Sequence, residues 1–532
     1  TDAQKQALDS AEEQAARLRP LADLFTAYLM DGDIHPDDYA TLFQSLVEGR
    51  SPDNPLRPKL TEIEARTAGY QRRHRFFHWP LEFPDVFGPE APGGFSATVG
   101  NPPWDVLQPN TQEFFQAYDP SFRRYKKQEA VKIAKKLKSE YPEIAQKWSD
   151  YEHNFKQASS YCKQTEAYKC LQKGKIDLYK AFLERFFRIL KRGGRMGIVV
   201  PSGVYTDQGC MPLREMFFSQ SKVDFMYCFE NRWPTVFNAV DGRFKFVLFG
   251  TEKGEETDEF KCAFMEHDPE RLPLIDRDAL EMSEEQVRKF SPDTLSVMEF
   301  KSQRDIDITA KIYGDWPLLG DKLDDTWNVQ FRQELNMTSD SHLFKTTPTD
   351  CPLYEGKMIW LFDSDFDEPR YWLDREEVEE ALRENAWEGN HYRVGYRDIA
   401  ASTNERTLIA SILPPTWHGH TMASIQPYHS SKAKHAPKEA EKCWLASVMS
   451  SFCIDYLIRQ KVTNHMSFFY MRTLPVPPDF GLILPKFINP VLARAIRLLC
   501  SSGLFALLWG KVFIADWQSP DFWYPPSAPI AT

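Results

Sequence analysis

Apolar residues recur near a 3.6-residue period early in the chain, at Leu8, Ala11, Ala15, Leu18, Leu21, Phe25 and Leu29. Glu12, Glu13, Arg17 and Arg19 fill other positions, so residues 1–48 are predicted to be largely helical. Pro20 falls inside that pattern and predicts a kink or a division. Asp31-Gly32-Asp33 predicts a break, and Pro36 with Asp37 and Asp38 suits the first turn of a second helix. Residues 51–94 lose the period. Their prolines, arginines and aromatics, including Arg72, Arg73, His74, Arg75, Phe76, Phe77 and Trp79, read as a long connection.

At Phe95-Ser96-Ala97-Thr98-Val99-Gly100 the pattern becomes a short strand of small and β-branched residues. It runs into a rigid turn, Asn101-Pro102-Pro103-Trp104. Proline fixes its own φ and restricts the residue before it, so Asn101 is pushed toward an extended conformation. A mostly helical, basic insertion follows to about Gly174, carrying Tyr125, Tyr141, Trp148, Tyr151, Phe155, Tyr161 and Tyr168. Basic residues interleaved with aromatics suit a nucleic-acid backbone and unstacked bases. A helical hairpin with a packed aromatic face fits the same pattern equally well.

Residues 175–250 are more regular. Asp177 precedes a helix with Leu178, Phe182, Phe186, Ile189 and Leu190 on one face, and Gly193-Gly194 is expected to cap it. Arg195 to Val200 predicts a buried strand closed by Pro201-Ser202-Gly203. A helix near Pro212 to Gln220, a strand from Val223 to Phe229, a turn at Asp241-Gly242 and a strand from Phe244 to Phe249 complete the region. Helices alternating with apolar strands predict an α/β layer with a largely parallel sheet. Ligands of such sheets sit at the carboxyl ends of strands, where the Asn101 and Ser202 loops would lie together. Farther on, Phe468-Phe469-Tyr470 through Leu474 to Pro478 reads as a strand. Gly503 to Trp517 is apolar but broken by Lys511 and Asp516, and reads as a core helix and not a membrane span.

Charge alters this picture locally. The chain of 532 residues carries 65 Lys and Arg against 76 Asp and Glu, a net −11. Residues 121–200 hold 20 Lys and Arg against 8 Asp and Glu, a local balance of +12. An acidic protein with one basic segment can still carry a nucleic-acid footprint. Nine cysteines, without Cys-x-x-Cys pairs, suit buried thiols in a reducing cytoplasm and no structural metal.

The chemistry suggested by the Asn101 turn is recognition of a flat heterocycle bearing an amino group. The amide oxygen and the Pro102 carbonyl would accept from the two amino hydrogens, and the Trp104 indole would stack on the ring, a contact worth about 1–3 kcal/mol per base.

These segments resemble a known family. Asn101 to Trp104 after a strand is similar to motif IV of the amino-group DNA methyltransferases, in which Asp, Asn or Ser precedes two prolines and an aromatic. Asp177-Leu178-Tyr179 through Arg192-Gly193-Gly194 to Val200-Pro201-Ser202 looks like motifs V and VI, and Arg232 to Phe249 looks like motif VIII. Order and spacing resemble large N6-adenine methyltransferases of the γ arrangement, found in single-chain restriction-modification enzymes and in the BREX and DISARM phage-defence systems. The resemblance extends to Cys351 through Met358 and to Tyr392 through Ala400, which are similar to the C-terminal specificity domain of these proteins.

What the resemblance implies is an α/β fold: part of a Rossmann-like methyltransferase sheet with helical insertions, then an α+β target-recognition domain. The implied divisions are a helical lead-in (1–94), a catalytic core (95–250), a connector (251–335), a DNA target-recognition domain (336–480) and a C-terminal helical segment (481–532). The implied activity is site-specific methylation of adenine N6 in double-stranded DNA, on a base flipped out of the duplex. S-adenosylmethionine is the implied donor, and other defence-system subunits are possible partners. Asn101, Pro102, Pro103 and Trp104 take the catalytic positions. Phe237, with Phe244 second, supplies another ring on the base. Both phenylalanines also suit sheet core. Asp177 helps shape the cofactor pocket or serves as an ordinary helix N-cap. Arg393, Arg397, Asn404 and Arg406 are candidate readers of base edges.

One departure matters. The family binds its cofactor through a Gly-rich strand-to-helix turn, and none is present. Gly93-Gly94, Gly193-Gly194 and Gly250 lack the setting, and Asp479-Phe480-Gly481-Leu482 is only a fragment. The expectation is that the chain starts downstream of that turn, since it opens on Thr1; borrowing from another polypeptide, or a loss of cofactor binding, are the alternatives. A DNA-specificity component without its own cofactor site is therefore the second reading. A third is a nuclease, from Pro292-Asp293 followed by Glu299-Phe300-Lys301, a string that would bind Mg2+ if strands brought it together. His418, His420, His429 and His435 lack companions at ligand spacing, so no zinc site is expected.

Overall fold

The computed structural model describes residues 2–30, 34–48, 57–172, 174–232, 235–238, 240–242, 244–322, 326–383, 389–401, 403–427, 437–462, 465–477, 485–513 and 517. The expected break at Asp31-Gly32-Asp33, the residues His429 and His435, and the Asp479 to Leu482 fragment lie outside them. The chain forms two compact units. The first comprises residues 1–288 with 293–297, and the second residues 289–292 with 298–532.

The first unit opens with helices α1 (Asp2–Met30), α2 (Pro36–Glu48) and α3 (Arg57–His74). Helix α1 runs continuously through Pro20. The expected connection over 51–94 is corrected: α3 occupies much of it. Leu60, Ile63 and Tyr70 sit on one face of α3 and pack with Leu21, Leu24, Ala27 and Leu42 into a single core. Arg72, Arg73 and His74 then fall in its last turn, where cations complement the helix dipole.

A six-stranded sheet follows: β1 (Phe95–Gly100), β2 (Leu190–Pro201), β3 (Ser221–Glu230), β4 (Lys245–Lys253), β5 (Glu259–Glu266) and β6 (Leu280–Ser283), in the spatial order β1-β2-β4-β3-β5-β6. Only β1·β2 and β3·β5 pair in parallel; β2·β4, β3·β4 and β5·β6 are antiparallel. The sheet is thus mixed, a correction to the largely parallel expectation. The described residues of the link between β3 and β4 hold no helix, and β4 returns beside its predecessor in the opposite sense. The stretch 251–335, read as a connector, is divided: β5 and β6 extend this sheet, and Val329–Arg332 joins the sheet of the second unit.

Helices α4 (Leu178–Arg188) and α5 (Met211–Gln220) cover one face of the sheet. Phe187 meets Phe217 at 5.5 Å between ring centroids, and Phe217 meets Phe249 of β4 at 4.9 Å. The expected glycine cap of α4 is corrected. The helix ends at Arg188, and Gly193 and Gly194 lie inside β2. The carbonyls of Phe187, Arg188 and Leu190 instead accept from Lys253 Nζ at 3.0, 3.1 and 2.6 Å. A half-buried ammonium does there what a left-handed glycine does elsewhere. Gly193 is still required, since it takes φ +74° in the strand.

The insertion between β1 and α4 is a helical hairpin, α6 (Lys127–Glu140) and α7 (Pro142–Gln164). Its aromatics pack on one another: Phe114, Phe115, Phe122, Trp148 and Tyr151 form one cluster. These rings build a core and offer no stacking platform. The cations lie outside it, with Arg123, Arg124, Lys126, Lys127, Lys132 and Lys135 all exposed.

The second unit holds a four-stranded antiparallel sheet of β7 (Val329–Arg332), β8 (Arg393–Arg397), β9 (Ala410–Leu413) and β10 (Met422–Pro427), ordered β7-β10-β8-β9. The segment read as a strand from Phe468 is corrected to a helix, Phe468–Arg472, followed among the described residues by an isolated bridge between Leu318 and Pro475. Gly503–Phe505 and Ala506–Val512 form two short helical pieces. Among the described residues no helix is long and apolar enough to cross a membrane. All nine cysteines are free thiols.

Candidate active site

Strand β1 is an edge strand, and its last residue hands the chain to Asn101 at the sheet's rim. Asn101 and Pro103 are exposed, Pro102 is buried and Trp104 is half-buried. Among the described residues neither the Asn101 side chain nor the Pro102 carbonyl has a hydrogen-bond partner. The turn is nevertheless held in place downstream. Val106 and Asp177 form an antiparallel bridge, with Leu178 N donating to Asp105 O and Leu107 N to Ile176 O, both at 2.8 Å. The start of α4 thereby fixes the loop that follows Trp104.

Asp177 stands at the N-cap position of α4, but its side chain caps no backbone N–H. Its carboxylate pairs instead with Lys180 Nζ at 2.5 Å, and that lysine is almost fully buried. Nearby, the Ser202 turn is clamped by Arg214. Its guanidinium donates to the carbonyls of Val204 (2.7 Å), Asp207 (2.8 Å) and Thr294 (2.6 and 3.0 Å). Burial lowers the Arg214 pKa to about 10, and four carbonyl contacts compensate for that desolvation.

Trp104 lies on the sheet face that α4 and α5 leave uncovered. It meets Phe237 edge to face, with ring centroids 5.5 Å apart, and Phe237 meets Phe246 at 5.0 Å. The Trp104 Nε1–H is buried without a hydrogen-bond partner. Phe244, the second choice, is more than half exposed and lies outside this cluster. Beside the cluster runs an open apolar trough of about 490 Å3, lined by Val99, Gly197, Val199, Phe225, Leu248 and Leu272. Val99, on the edge strand β1, is 83% exposed there. Among the described residues Asp276 is the one charged group on its rim.

The residues expected to read bases are differently placed. Arg393 is 1% exposed, and its guanidinium grips both oxygens of buried Glu334 at 2.8 Å and the Thr416 carbonyl at 2.6 Å. Burial raises the Glu334 pKa, but Arg393 and His418 outweigh it and hold the carboxyl below its usual range. Arg406 donates to the Ser450 carbonyl at 2.6 Å and lies 4.8 Å over the Phe452 ring. Arg397 donates to the Ile359 carbonyl at 2.5 and 3.0 Å and stacks on Trp360. The expectation of base contacts is therefore corrected for Arg393 and Arg406, whose guanidiniums are committed inside the unit. Asn404 alone of the four is exposed. His418 is buried against Glu334. Among the described residues no group of three or more His, Cys, Asp or Glu gathers to hold a metal, and Asp293 and Glu299 fall in different units.

The sequence around this site matches a known family over part of the first unit. Residues 45–234 match the family described as Eco57I restriction-modification methylase. Over that stretch the chain resembles a restriction-modification methylase domain. No curated protein sequence matches the chain. Among solved structures, it resembles parts of three larger proteins. They are the type IIG restriction endonuclease BpuSI (13% identity, TM-score 0.26, 64% of this chain and 47% of that one), the type IIL restriction-modification enzyme MmeI in complex with DNA (13%, 0.34, 64% and 48%), and a nuclease-deletion mutant of the type ISP enzyme LlaGI with a DNA substrate mimic (10%, 0.35, 82% and 43%). The chain spans less than half the length of each. The methylase assignment rests on the sequence family.

Two residues of this methylase domain escaped the sequence reading. Arg214 looks like a surface residue but shares a helix face with Leu213 and Phe217, and a lone Arg on an apolar face was the available signal. Asn231 follows an apolar strand and gave no signal of its own. Its side chain makes three hydrogen bonds to the loop that carries Phe237.

Proposed function

We propose that the methylase domain modifies adenine N6 in double-stranded DNA, with the target base flipped out to the Asn101 turn. The observation that carries this is the pair of unpartnered acceptors, Asn101 Oδ1 and Pro102 O, at the carboxyl end of β1 beside the Trp104 ring. The adenine amino group is a poor nucleophile because its lone pair is delocalised into the ring. Two acceptors on its hydrogens favour a pyramidal nitrogen and localise that pair. Proline on both sides of the Pro102 carbonyl keeps it aimed without reorganisation. The base must leave the stack to reach these atoms, at a cost of a few kcal/mol, and Trp104 offsets part of it.

S-adenosylmethionine would supply an electrophilic methyl group. The described residues do not fit it by themselves: the trough beside Trp104 is apolar, with Asp276 its one charge, and no glycine-rich strand-to-helix turn faces it. Asn101 and Asp177 would form only the base-side wall of such a pocket. That same observation favours the second reading, a DNA-binding specificity component that relies on other polypeptide for cofactor. The exposed cations of the α6 hairpin support DNA as partner in either case. Restriction-modification or phage defence is the setting we propose, with residues 336–480 as the recognition domain.

The deciding experiment is Asn101→Ala in any preparation that transfers methyl groups. We expect transfer to be abolished and DNA binding to persist. Labelled-methyl transfer at the wild-type rate would overturn the assignment.

A further inference from the structure

The loop between β3 and β4 carries Phe237 but lacks helix or strand of its own among its described residues. Such a loop holds a side chain in place only if something ties its backbone. Asn231, the first residue after β3, is 1% exposed and does so. Its Nδ2 donates to the carbonyls of Phe237 and Val240, both at 2.9 Å, and its Oδ1 accepts from Phe237 N at 3.0 Å. Its backbone N donates to Phe244 O at 3.0 Å and closes the loop at its base.

One amide thus satisfies the N–H and the C=O of Phe237 together. Val240 N also donates to that carbonyl, at 3.1 Å, so the turn is closed on itself as well as on the amide. The ring it orients is the one that meets Trp104 edge to face. We propose that Asn231 is a positioning residue for the base site: it sets the height and tilt of Phe237, and so the width of the slot that a flipped base must enter beside Trp104. Asn231 touches neither base nor reacting atoms in this arrangement. That the slot receives a base rests on the function proposed above; that Asn231 sets the ring does not.

The chemistry requires an amide. Aspartate has the same shape but no N–H, and would set a carboxylate against two carbonyl oxygens. Asn231→Asp therefore loses both donations and adds repulsion, whereas Asn231→Ala only removes contacts. Neither touches the Asn101 turn.

The test places a fluorinated phenylalanine at position 237 in the whole chain and reads its fluorine resonance. In the wild type we expect one sharp line, shifted by the Trp104 ring current. In Asn231→Asp we expect that shift to collapse and the line to broaden, with circular dichroism unchanged. A line in Asn231→Asp that keeps the wild-type ring-current shift and sharpness would overturn the proposal. Asn231→Ala serves if the aspartate variant does not fold, and is read by the same criterion. A parallel measurement with 2-aminopurine at the target base separates the two layers. Equal loss of flipping in Asn231→Asp, Phe237→Ala and the double variant shows that Asn231 acts through Phe237. A collapsed fluorine shift with flipping intact in all three keeps the positioning role and removes the base-site reading.

Discussion

Trp104 and Phe237 stand with their ring planes 74° apart and their centroids 5.5 Å apart. Two rings that sandwich a base must lie roughly parallel with the base between them, so these two touch where a base would go. The edge-to-face contact is worth about 0.5–1.5 kcal/mol beyond its buried area, less than the stack a base would make with Trp104. On the function proposed above, an entering base would therefore exchange one aromatic contact for a larger one. Trp104→Ala should weaken flipping by about 1–3 kcal/mol, and Trp104→Phe should retain much of it. Fluorescence of 2-aminopurine at the target base reads this directly; equal signals from all three proteins would make Trp104 a plug for the sheet face.

The basic hairpin predicts a salt signature. Arg123, Arg124, Lys126, Lys127, Lys132 and Lys135 are exposed, and no ion pair among the described residues occupies them. Lys136 is the neighbour that does pair, with Glu140 at 3.7 Å. Cations that contact phosphate release counterions, and each lost contact lowers the slope of log affinity against log salt by about 0.9. Lys132→Glu with Lys135→Glu should weaken binding to every duplex alike and flatten that slope. An unchanged slope would mark the face as merely solvated.

Parts of this arrangement were legible in the sequence for identifiable reasons. The Asn101 turn announces itself because two prolines leave its backbone little freedom. Helix α4 and strand β2 announce themselves through periodicity. The misreadings share a cause, which is that distant partners overrode local pattern. Gly193-Gly194 looked like a cap because Lys253, which takes that part, lies some sixty residues on. Helix α3 was hidden by its charges, although Leu60, Ile63 and Tyr70 keep helical spacing. Arg393 sat in a polar-looking stretch, but β8 is buried along most of its length, so strand alternation gave no warning. Asn231 was invisible for a different reason: its three bonds go to the backbone of Phe237 and Val240, in a nearby loop that has no periodic pattern to read.

A buried lysine in the second unit predicts a pH dependence. Lys461 Nζ donates to Phe290 O (2.7 Å), Tyr313 Oη (2.7 Å) and Thr473 Oγ1 (2.5 Å). Burial lowers its pKa to about 7, whereas in the unfolded chain it returns to the ordinary lysine value near 10.4. Between those values the unfolded state binds a proton that the folded state does not. Stability therefore rises with pH across that window, by up to about 1.4 kcal/mol per pH unit, and the penalty is full below the folded value. Urea midpoints at neutral and alkaline pH for wild type and Lys461→Met check this. The wild type should gain on the variant as pH rises; parallel curves would show that Lys461 does not titrate there.

The last prediction concerns the cofactor. A methyl donor of this size needs backbone donors for its carboxylate, an acceptor for its ribose and a turn close enough to admit both. On the described residues the uncovered sheet face offers an apolar trough with Asp276 on its rim, and β1 pairs on one side only. The carboxylate of Asp177 is already held by Lys180, which leaves little charge free to recruit a ligand. The 532-residue chain alone should therefore bind S-adenosylmethionine weakly or not at all, while still binding duplex DNA in a salt-dependent way. Calorimetry decides between the possibilities. Absent heat, with DNA binding intact, would mean that the acceptors at Asn101 and Pro102 await cofactor contacts supplied by other polypeptide. Tight stoichiometric binding would mean that the trough, or another surface of this chain, holds the cofactor without a glycine-rich turn, and that Asp177 and Asp276 are the first residues to substitute in search of it.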